Sequence, residues 1–303
     1  MSPFRIISFD GGGIRGALST RILKRLCEAY PQLLAETQLF AGTSTGALIA
    51  LVLASGKDSE FIDNIYNYET IKSIFTPAHF NPFRPKYSNK NLKQVLSSVF
   101  SKDLTLAELE KYVFIPSFNV KGYTSNSWQS VFFNNLTNDE LSKAKVIDVA
   151  LSSSAAPTYF PSHNNFIDGG VIDNSPSASA MISTLKILKP KHQLSDFRVL
   201  SIGTGQTLDS IKKDTTSWGA VQWALNPTTK MQLPLVSILL MNDVPLADMY
   251  CRELIGRNYY RINPILNNEI LLDDYKQVTY LKETVDTLDL SHCYRYIKNY
   301  FLK

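Results

Sequence analysis

The chain is poor in cysteine and histidine, the side chains that most often form disulfides or bind metals. Its three cysteines, Cys27, Cys251 and Cys293, are odd in number and far apart, which fits neither a disulfide framework nor a zinc site of paired cysteines. The four histidines do not form a ligand cluster with cysteines and carboxylates. We therefore expect reduced thiols, no metal site and no cofactor.

Long hydrophobic runs are also missing. The N-terminal MSPFRIISFDGGG has no cationic stretch followed by an apolar one, and nowhere do 18 apolar residues follow one another. We expect neither a cleaved signal nor a membrane-spanning segment, and hence a cytoplasmic protein. Export by a machine that needs no such signal remains open.

Charge of one sign is not concentrated anywhere. The 31 basic and 27 acidic residues give a net charge of +4 and are interspersed along the chain. The long basic runs of nucleic-acid-binding arms are absent, so no nucleic-acid polymer is expected as a partner.

Two strand-turn-helix patterns occupy the first 55 residues. Arg5–Phe9 is a short apolar run that ends in glycines, and apolar residues then recur at helical spacing from Gly16 until Pro31. A second strand is predicted at Leu39–Ala41, with a buried helix at Thr45–Ala54 after a sharp turn. This alternation predicts an α/β fold with a mostly parallel central sheet flanked by helices.

The remaining pattern predicts a single domain. Residues 1–205 carry every motif described below, and residues 206–303 are expected to pack on the same domain as a lid or regulatory elaboration. Residues 58–112 read as mainly helical, with a surface loop at His79–Tyr87. Further strands are predicted at 113–120, 128–133, 166–167 and 199–202, and further helices at 137–151, 176–188 and 294–302.

Gly42-Thr43-Ser44-Thr45-Gly46 fits the G-x-S-x-G nucleophile elbow. Small residues flank the serine because the tight turn leaves no room for side chains. The turn would raise the Ser44 hydroxyl at a helix N-terminus, where the backbone favours a developing negative charge. Alone, the pentapeptide is as compatible with a purely structural turn.

Asp10-Gly11-Gly12-Gly13-Ile14-Arg15-Gly16 can bring several backbone amides to one point. Such a nest suits either a dinucleotide pyrophosphate or the oxyanion of an acyl-transfer intermediate. The dinucleotide interpretation also requires an acidic residue at the end of a second strand, and Glu36 lies before that strand. Arg15 could stabilise negative charge, bind a phosphate, or pair with a neighbouring acid.

Asp168-Gly169-Gly170 follows the predicted strand at residues 166–167. Its glycines allow a tight turn that leaves the carboxylate of Asp168 projecting at a strand end. An ordinary Asp-Gly turn has the same sequence, so this segment gains meaning only with the other two.

In this order the segments resemble the patatin-like phospholipase family. The resemblance rests on DGGGIRG at 10–16, GTSTG at 42–46, SSSAAPTYFP at 152–161, DGGVIDNSP at 168–176 and LSIGTG at 200–205, and covers about two-thirds of the chain. It implies a three-layer α/β/α fold and a dyad without histidine. Ser44 matches the nucleophile, Asp168 the general base, Gly11, Gly12 and Gly13 the oxyanion hole, and Arg15 the basic position of the glycine-rich motif.

The resemblance also implies a lipid acyl-hydrolase of the phospholipase A or lysophospholipase type. Its substrates would be phospholipids or lysophospholipids at a membrane surface, where the protein would bind peripherally. A protein or cyclic-nucleotide activator is plausible because a phospholipase must be restrained in its own cell, and an oligomer is compatible with the sequence.

Three alternatives stay open at this point. His163, five residues before Asp168, could complete a Ser-His-Asp triad of an esterase or protease. The chain could be a catalytically silent lipid-binding module, or a nucleotide-binding domain built on Gly11, Gly13 and Gly16.

Overall fold

The structure is a computed structural model. It describes residues 2–79, 81, 83–124, 126–189, 191–206, 211, 213–226, 233–240, 244–268 and 270–303.

A seven-stranded mixed sheet forms the centre of the molecule. Its strands lie in the order β4-β3-β2-β1-β6-β7, and β5 pairs with β3 beside this row. All neighbours are parallel except β4 and β5, which run antiparallel to β3. The strands are β1 (Phe4–Phe9), β2 (Leu39–Gly42), β3 (Tyr112–Asn119), β4 (Gln129–Asn134), β5 (Phe166–Asp168), β6 (Phe197–Ile202) and β7 (Tyr259–Ile262).

Helices cover both faces of the sheet. They are α1 (Gly16–Ala29), α2 (Thr45–Ala54), α3 (Ser59–Ile65), α4 (Tyr68–Ile74), α5 (Lys90–Val99), α6 (Val146–Ser153), α7 (Ser177–Leu188), α8 (Ala220–Ala224), α9 (Pro234–Leu239), α10 (Val244–Ile255), α11 (Val278–Asp286) and α12 (Ser291–Tyr296). Helices α7 and α10 pack on one face, and α1, α2, α6, α11 and α12 on the other. The expected three-layer α/β/α fold is confirmed.

Strand β1 shows why both faces need a cover. Ile7 and Phe9 belong to the larger core, whereas Phe4 and Ile6 belong to the smaller core on the opposite face. Successive side chains of a strand point to opposite faces, so an apolar strand such as this one is stable only when helices bury it on both sides.

The arrangement around β3 brings two distant segments together. Along one side, β3 pairs first with β2, where Ala41 lies beside Phe114, and then with β5, where Asp168 lies beside Ser117. Since β2 is parallel and β5 antiparallel to β3, the C-terminal ends of β2 and β5 point towards each other. The turns that follow β2 and β5 therefore converge at one place.

The sequence-based elements agree with the structure except at two places. The helix predicted at 137–151 is wrong in its first half, because α6 begins only at Val146. The carboxylate of Asp139 instead accepts hydrogen bonds from the amides of Leu141 and Ser142, which holds a turn. The predicted loop at His79–Tyr87 contains no helix or strand among its described residues, while Phe80 and Pro82 lie outside them.

The second difference lies after Gly205, where the sequence predicted neither β7 nor helices α8 to α11. Strand β7 adds a parallel edge strand beside β6, so residues after Gly205 contribute to the same sheet. Residues 207–210, 212, 227–232 and 241–243 of the expected lid region lie outside the described residues.

Within the described ranges, no helix combines the length and apolarity needed to cross a membrane.

Candidate active site

Ser44 lies in a sharp turn between β2 and α2. Its backbone has φ 55° and ψ −118°, a combination that a side chain disfavours and that glycine adopts freely. The amide of Ser44 donates to Ser153 Oγ at 3.1 Å, and Ser153 Oγ donates to the carbonyl of Pro116 at 2.7 Å. The hydroxyl of Ser153 in α6 thus links the strained turn to β3 through two hydrogen bonds.

Asp168 ends β5 and faces this turn. Asp168 lines the same pocket as Ser44, and the nearby Ser44 hydroxyl favours the ionised form of its carboxyl group. The amide of Gly170 donates a hydrogen bond to Asp168 Oδ1 at 2.7 Å. The side chain is buried, with 2% of the residue exposed. The structure therefore brings together the two residues that the sequence singled out 124 positions apart.

Burial raises the pKa of Asp168 to about 6, although hydrogen bonds from the Gly170 amide and the Ser44 hydroxyl lower it. The physical cause is the loss of water around the ionised carboxylate. An acid with a pKa near 6 is ionised at neutral pH and yet basic enough to accept a proton from a serine, as a general base must.

The glycine loop between β1 and α1 lies beside Ser44. Gly12 and Gly13 line the same pocket as Ser44 and Asp168, and their amides have no acceptor among the described residues. Gly11 differs, because its amide donates to the carbonyl of Asn174 at 3.0 Å. The expectation that Gly11 supplies a donor to an oxyanion is corrected by this bond.

Gly13 cannot be replaced without moving the loop. Its φ is +57°, and a Cβ there would lie 2.1 Å from the carbonyl oxygen of Leu272. At the elbow, a Cβ on Gly46 would lie 2.2 Å from the carbonyl oxygen of Phe9. The other motif glycines also lie close to neighbouring atoms: Gly16, Gly42, Gly169 and Gly170.

Arg15 is buried, with 2% of the residue exposed. Its Nε donates to the carbonyl of Gly12 at 3.4 Å, and the residue lines the pocket that holds Ser44. The guanidinium therefore contacts the glycine loop itself.

None of the histidines lines this pocket in the described part of the chain. His163 Nε2 lies 2.8 Å from Asp148 Oδ1, so its ring is bound to a carboxylate of α6 and not to Ser44. The triad through His163 is therefore not formed. No group of three or more His, Cys, Asp and Glu side chains among the described residues could hold a metal ion.

The pocket extends from Ser44 between α2 and the helices α3, α4 and α5. It encloses about 1000 Å³, including its open mouth. Its polar groups cluster at the end occupied by Ser44, Asp168 and the glycine loop. The rest of its wall is almost wholly aliphatic or aromatic, and includes Leu48, Val52, Ile62, Ile71, Leu96 and Val99.

Sequence reasoning missed this wall. Among residues in apolar segments of the sequence, Phe75 and Leu240 line it, whereas Trp128 is exposed elsewhere. The signal available was the apolar stripe of α5, where Leu92, Val95, Leu96 and Val99 recur at helical spacing. Nothing in that stripe distinguishes the wall of a pocket from an ordinary core.

Comparisons with known proteins identify the family of this chain. The family model described as patatin-like phospholipase matches residues 7–181. Protein teg of Priestia megaterium is 31% identical, over 88% of this chain and 90% of its own length. A cGAMP-activated phospholipase of Escherichia coli is 29% identical over 66% of this chain and 62% of its own length.

Among solved structures, VipD of Legionella pneumophila aligns with a TM-score of 0.43 and 12% identity, covering 94% of this chain and 67% of VipD. The family model spans more than half of the chain and includes the elbow, the glycine loop and Asp168. This chain is a member of the patatin-like phospholipase family.

Proposed function

We propose that the protein is a lipid acyl-hydrolase of the phospholipase A or lysophospholipase type that uses Ser44 and Asp168 as a catalytic dyad. The observation that carries this proposal is that Ser44 and the buried carboxylate of Asp168 lie together at the polar end of an otherwise apolar pocket. Apolar walls suit a fatty-acyl chain, and the polar end suits the ester that joins the chain to its head group.

In the first half-reaction, Ser44 Oγ attacks the ester carbonyl carbon while Asp168 accepts the hydroxyl proton. The carbonyl oxygen becomes an oxyanion, which accepts hydrogen bonds from the amides of Gly12 and Gly13. When the ester bond breaks, Asp168 gives its proton to the leaving alcohol oxygen, and the acyl group remains on Ser44.

The second half-reaction repeats these roles with water. Asp168 accepts a proton from a water molecule as its oxygen attacks the acyl carbonyl. The tetrahedral intermediate collapses, the fatty acid leaves, and Asp168 returns the proton to Ser44 Oγ. Arg15, which contacts the Gly12 carbonyl, stabilises the negative charge near the loop.

We also propose that the enzyme works at a lipid surface. Helix α9 packs against the turn that follows Asp168, and α8 packs against α9. Residues 215–226 and 233–240 contain no charged side chain, and several of their apolar side chains are exposed: Val221, Leu225, Leu235, Ile238 and Leu239. An uncharged, apolar surface beside the pocket suits peripheral contact with a bilayer.

Release of fatty acid from phosphatidylcholine and phosphatidylglycerol vesicles tests the proposal. The wild-type protein should release fatty acid, whereas Ser44→Ala and Asp168→Asn should not, and His163→Ala should keep most of the wild-type rate. Each variant is checked by circular dichroism, and sedimentation with the vesicles reports binding. If the folded wild-type protein binds the vesicles but neither it nor any variant releases fatty acid, the result would favour a catalytically silent lipid-binding module.

Two relatives named cGAMP-activated phospholipases support dependence on an activator. We therefore expect the same assay to respond to added cGAMP or to a cellular partner protein. A wild-type rate that is already high and unchanged by cGAMP would remove this part of the proposal.

A further inference from the structure

Two carbonyl groups of the glycine loop accept hydrogen bonds from neighbouring residues. The Gly11 carbonyl accepts a hydrogen bond from Thr204 Oγ1 at 3.0 Å and a longer one from Asn174 Nδ2 at 3.5 Å. The Gly12 carbonyl accepts from the amide of Arg15 at 3.1 Å and from its Nε at 3.4 Å. Every one of these contacts orients a peptide group.

A trans peptide group is planar, and its C=O and N–H point in opposite directions. The carbonyl of Gly11 shares a peptide group with the amide of Gly12, and the carbonyl of Gly12 shares one with the amide of Gly13. Fixing the two carbonyls therefore fixes the directions of the Gly12 and Gly13 amides, and both residues line the pocket that holds Ser44.

We propose that Thr204 is a positioning residue for the oxyanion hole, acting through its hydroxyl on the Gly11–Gly12 peptide group. This inference rests on the proposed acyl-hydrolase function and adds a residue to it. Thr204 lies two residues beyond β6, and is 4% exposed. It is distant from Ser44 and Asp168 in sequence and forms no hydrogen bond with either residue in the described part of the chain.

The side chain of Thr204 fills the space beside Gly12. A Cβ added to Gly12 would lie 2.4 Å from Thr204 Oγ1 and 2.8 Å from its Cγ2. The loop backbone thus rests directly on the threonine side chain, so that a change in its hydroxyl is transmitted to the Gly12 amide without an intervening group.

Asn174 links this support to the base. It follows Asp168 in the same DGGVIDN segment. Its carbonyl accepts a hydrogen bond from the Gly11 amide at 3.0 Å, while its side-chain Nδ2 donates a longer one to the Gly11 carbonyl. The segment that carries the proton acceptor therefore also anchors the loop that would bind the oxyanion. Thr204 supplies the second anchor from β6.

Three substitutions separate the hydroxyl of Thr204 from its volume. Thr204→Val keeps the shape and removes the hydroxyl. Thr204→Ser keeps the hydroxyl and removes a methyl group, and Thr204→Ala removes both. Thr37→Val is the matched control, because Thr37 is fully buried and its hydroxyl also donates to a backbone carbonyl, that of Leu33 at 2.8 Å.

Two readouts use a soluble ester and a covalent probe. Kinetics with p-nitrophenyl butyrate give kcat and KM. An alkyl fluorophosphonate forms an Oγ–P bond to Ser44 as the P–F bond breaks and fluoride leaves, with the serine proton passing to Asp168. Its phosphoryl oxygen takes the place of the oxyanion, so the labelling rate, followed by intact mass, reports the hole independently of turnover.

We expect Thr204→Val and Thr204→Ala to lower kcat and the labelling rate by about 10-fold or more, with KM nearly unchanged because the acyl pocket is intact. Thr204→Ser and Thr37→Val should stay within about twofold of wild type. Equal rates for wild type and folded Thr204→Val would overturn the inference, as would equal losses in Thr204→Val and Thr204→Ser. A folded wild type that neither turns over nor is labelled would instead refute the proposed function, and this inference with it.

Discussion

At the scale of single residues, the site combines one strained residue with one buried acid. Ser44 holds a backbone conformation that costs free energy for any residue with a side chain. Asp168 holds a carboxylate away from water. Both features lower stability, and both serve the proposed chemistry by exposing the hydroxyl and raising the basicity of its partner.

Ser44→Gly and Ser44→Ala should both abolish hydrolysis but differ in stability. Glycine relieves the strain at φ 55°, whereas alanine retains it, so we expect Ser44→Gly to be more stable than Ser44→Ala by about 1 kcal/mol. Denaturant unfolding monitored by circular dichroism measures the difference. A glycine variant that is the less stable of the two would show that the turn is not strained.

The pH dependence of hydrolysis should report Asp168. Because its pKa is raised to about 6, kcat/KM for a soluble ester should rise with pH through about 6 and level off above 7. Asp168→Asn should be slower by about 10²- to 10⁴-fold and show no such rise.

Protonation of Asp168 at low pH does not itself destabilise the fold. The pKa of Asp168 is higher in the folded chain than the ordinary 3.8, so its contribution to stability is fully present below 3.8 and is lost as pH rises through about 6. A rate that stays flat between pH 5 and 7 in folded protein would contradict the assignment of Asp168 as the base.

At the scale of elements, the site exists because β2 and β5 meet on one side of β3. Ser153 at the end of α6 stabilises this junction, since it bonds the Ser44 amide and the Pro116 carbonyl of β3 at once. The turn and the sheet are therefore connected through one buried hydroxyl.

Ser153→Ala should leave the Ser44 amide and the Pro116 carbonyl unpaired in a buried position. We expect a loss of about 1–3 kcal/mol in the free energy of unfolding, together with slower hydrolysis because the elbow can shift. The control is Ser8→Ala in β1, where the buried hydroxyl has no partner among the described residues and its loss should be nearly neutral. Equal stability of the two variants would remove Ser153 from this role.

The strands and helix near the site could be predicted because two sequence signals mark the same boundaries. Segments with an apolar pattern lie at residues 5–9, 39–41 and 45–54, and glycine turns bound them. Edge strand β7 was missed because Tyr259–Ile262 is short and half-buried, with no alternation that marks a strand. The early start of the helix at 137–151 was wrong because the local bonds of Asp139 cannot be read from apolar spacing.

At the scale of the whole molecule, residues after Gly205 complete the core. Arg261 of β7 forms an ion pair with Asp10 at the end of β1, 2.5 Å between Nη2 and Oδ2, and both side chains are buried. Burial lowers the pKa of Arg261, but the nearby Asp10 carboxylate outweighs burial and raises it. Helix α11 packs on α1, and the chain end fills the larger core with Ile297 and Phe301.

Deletion of residues 206–303 should therefore prevent folding, because it exposes the larger core and leaves Asp10 buried without its cation. Circular dichroism and size-exclusion chromatography of the 1–205 chain should show an unfolded or aggregated protein, whereas removal of the exposed Lys303 alone should have no effect. A soluble 1–205 chain that unfolds cooperatively would identify residues 206–303 as a separable addition.

That the candidate residues lie together could be predicted from the sequence, but not all of their contacts could. Ser44 and Asp168 stand in motifs whose glycines constrain the backbone, so their convergence follows from the fold. The loss of Gly11 as a donor depends on the carbonyl of Asn174, and the acyl pocket depends on how α3, α4 and α5 pack on α2. Such contacts arise only from three-dimensional packing, and a linear motif does not encode them.

Direct detection of an acyl group on Ser44 is the decisive measurement. The wild-type protein is mixed with p-nitrophenyl palmitate, quenched in acid within the first turnover, digested, and analysed by peptide mass spectrometry. We predict a palmitoyl group on the peptide that contains Ser44, and none in Ser44→Ala. Release of fatty acid without any acyl group on Ser44, or an acyl group on another residue that turns over at the same rate, would contradict the account.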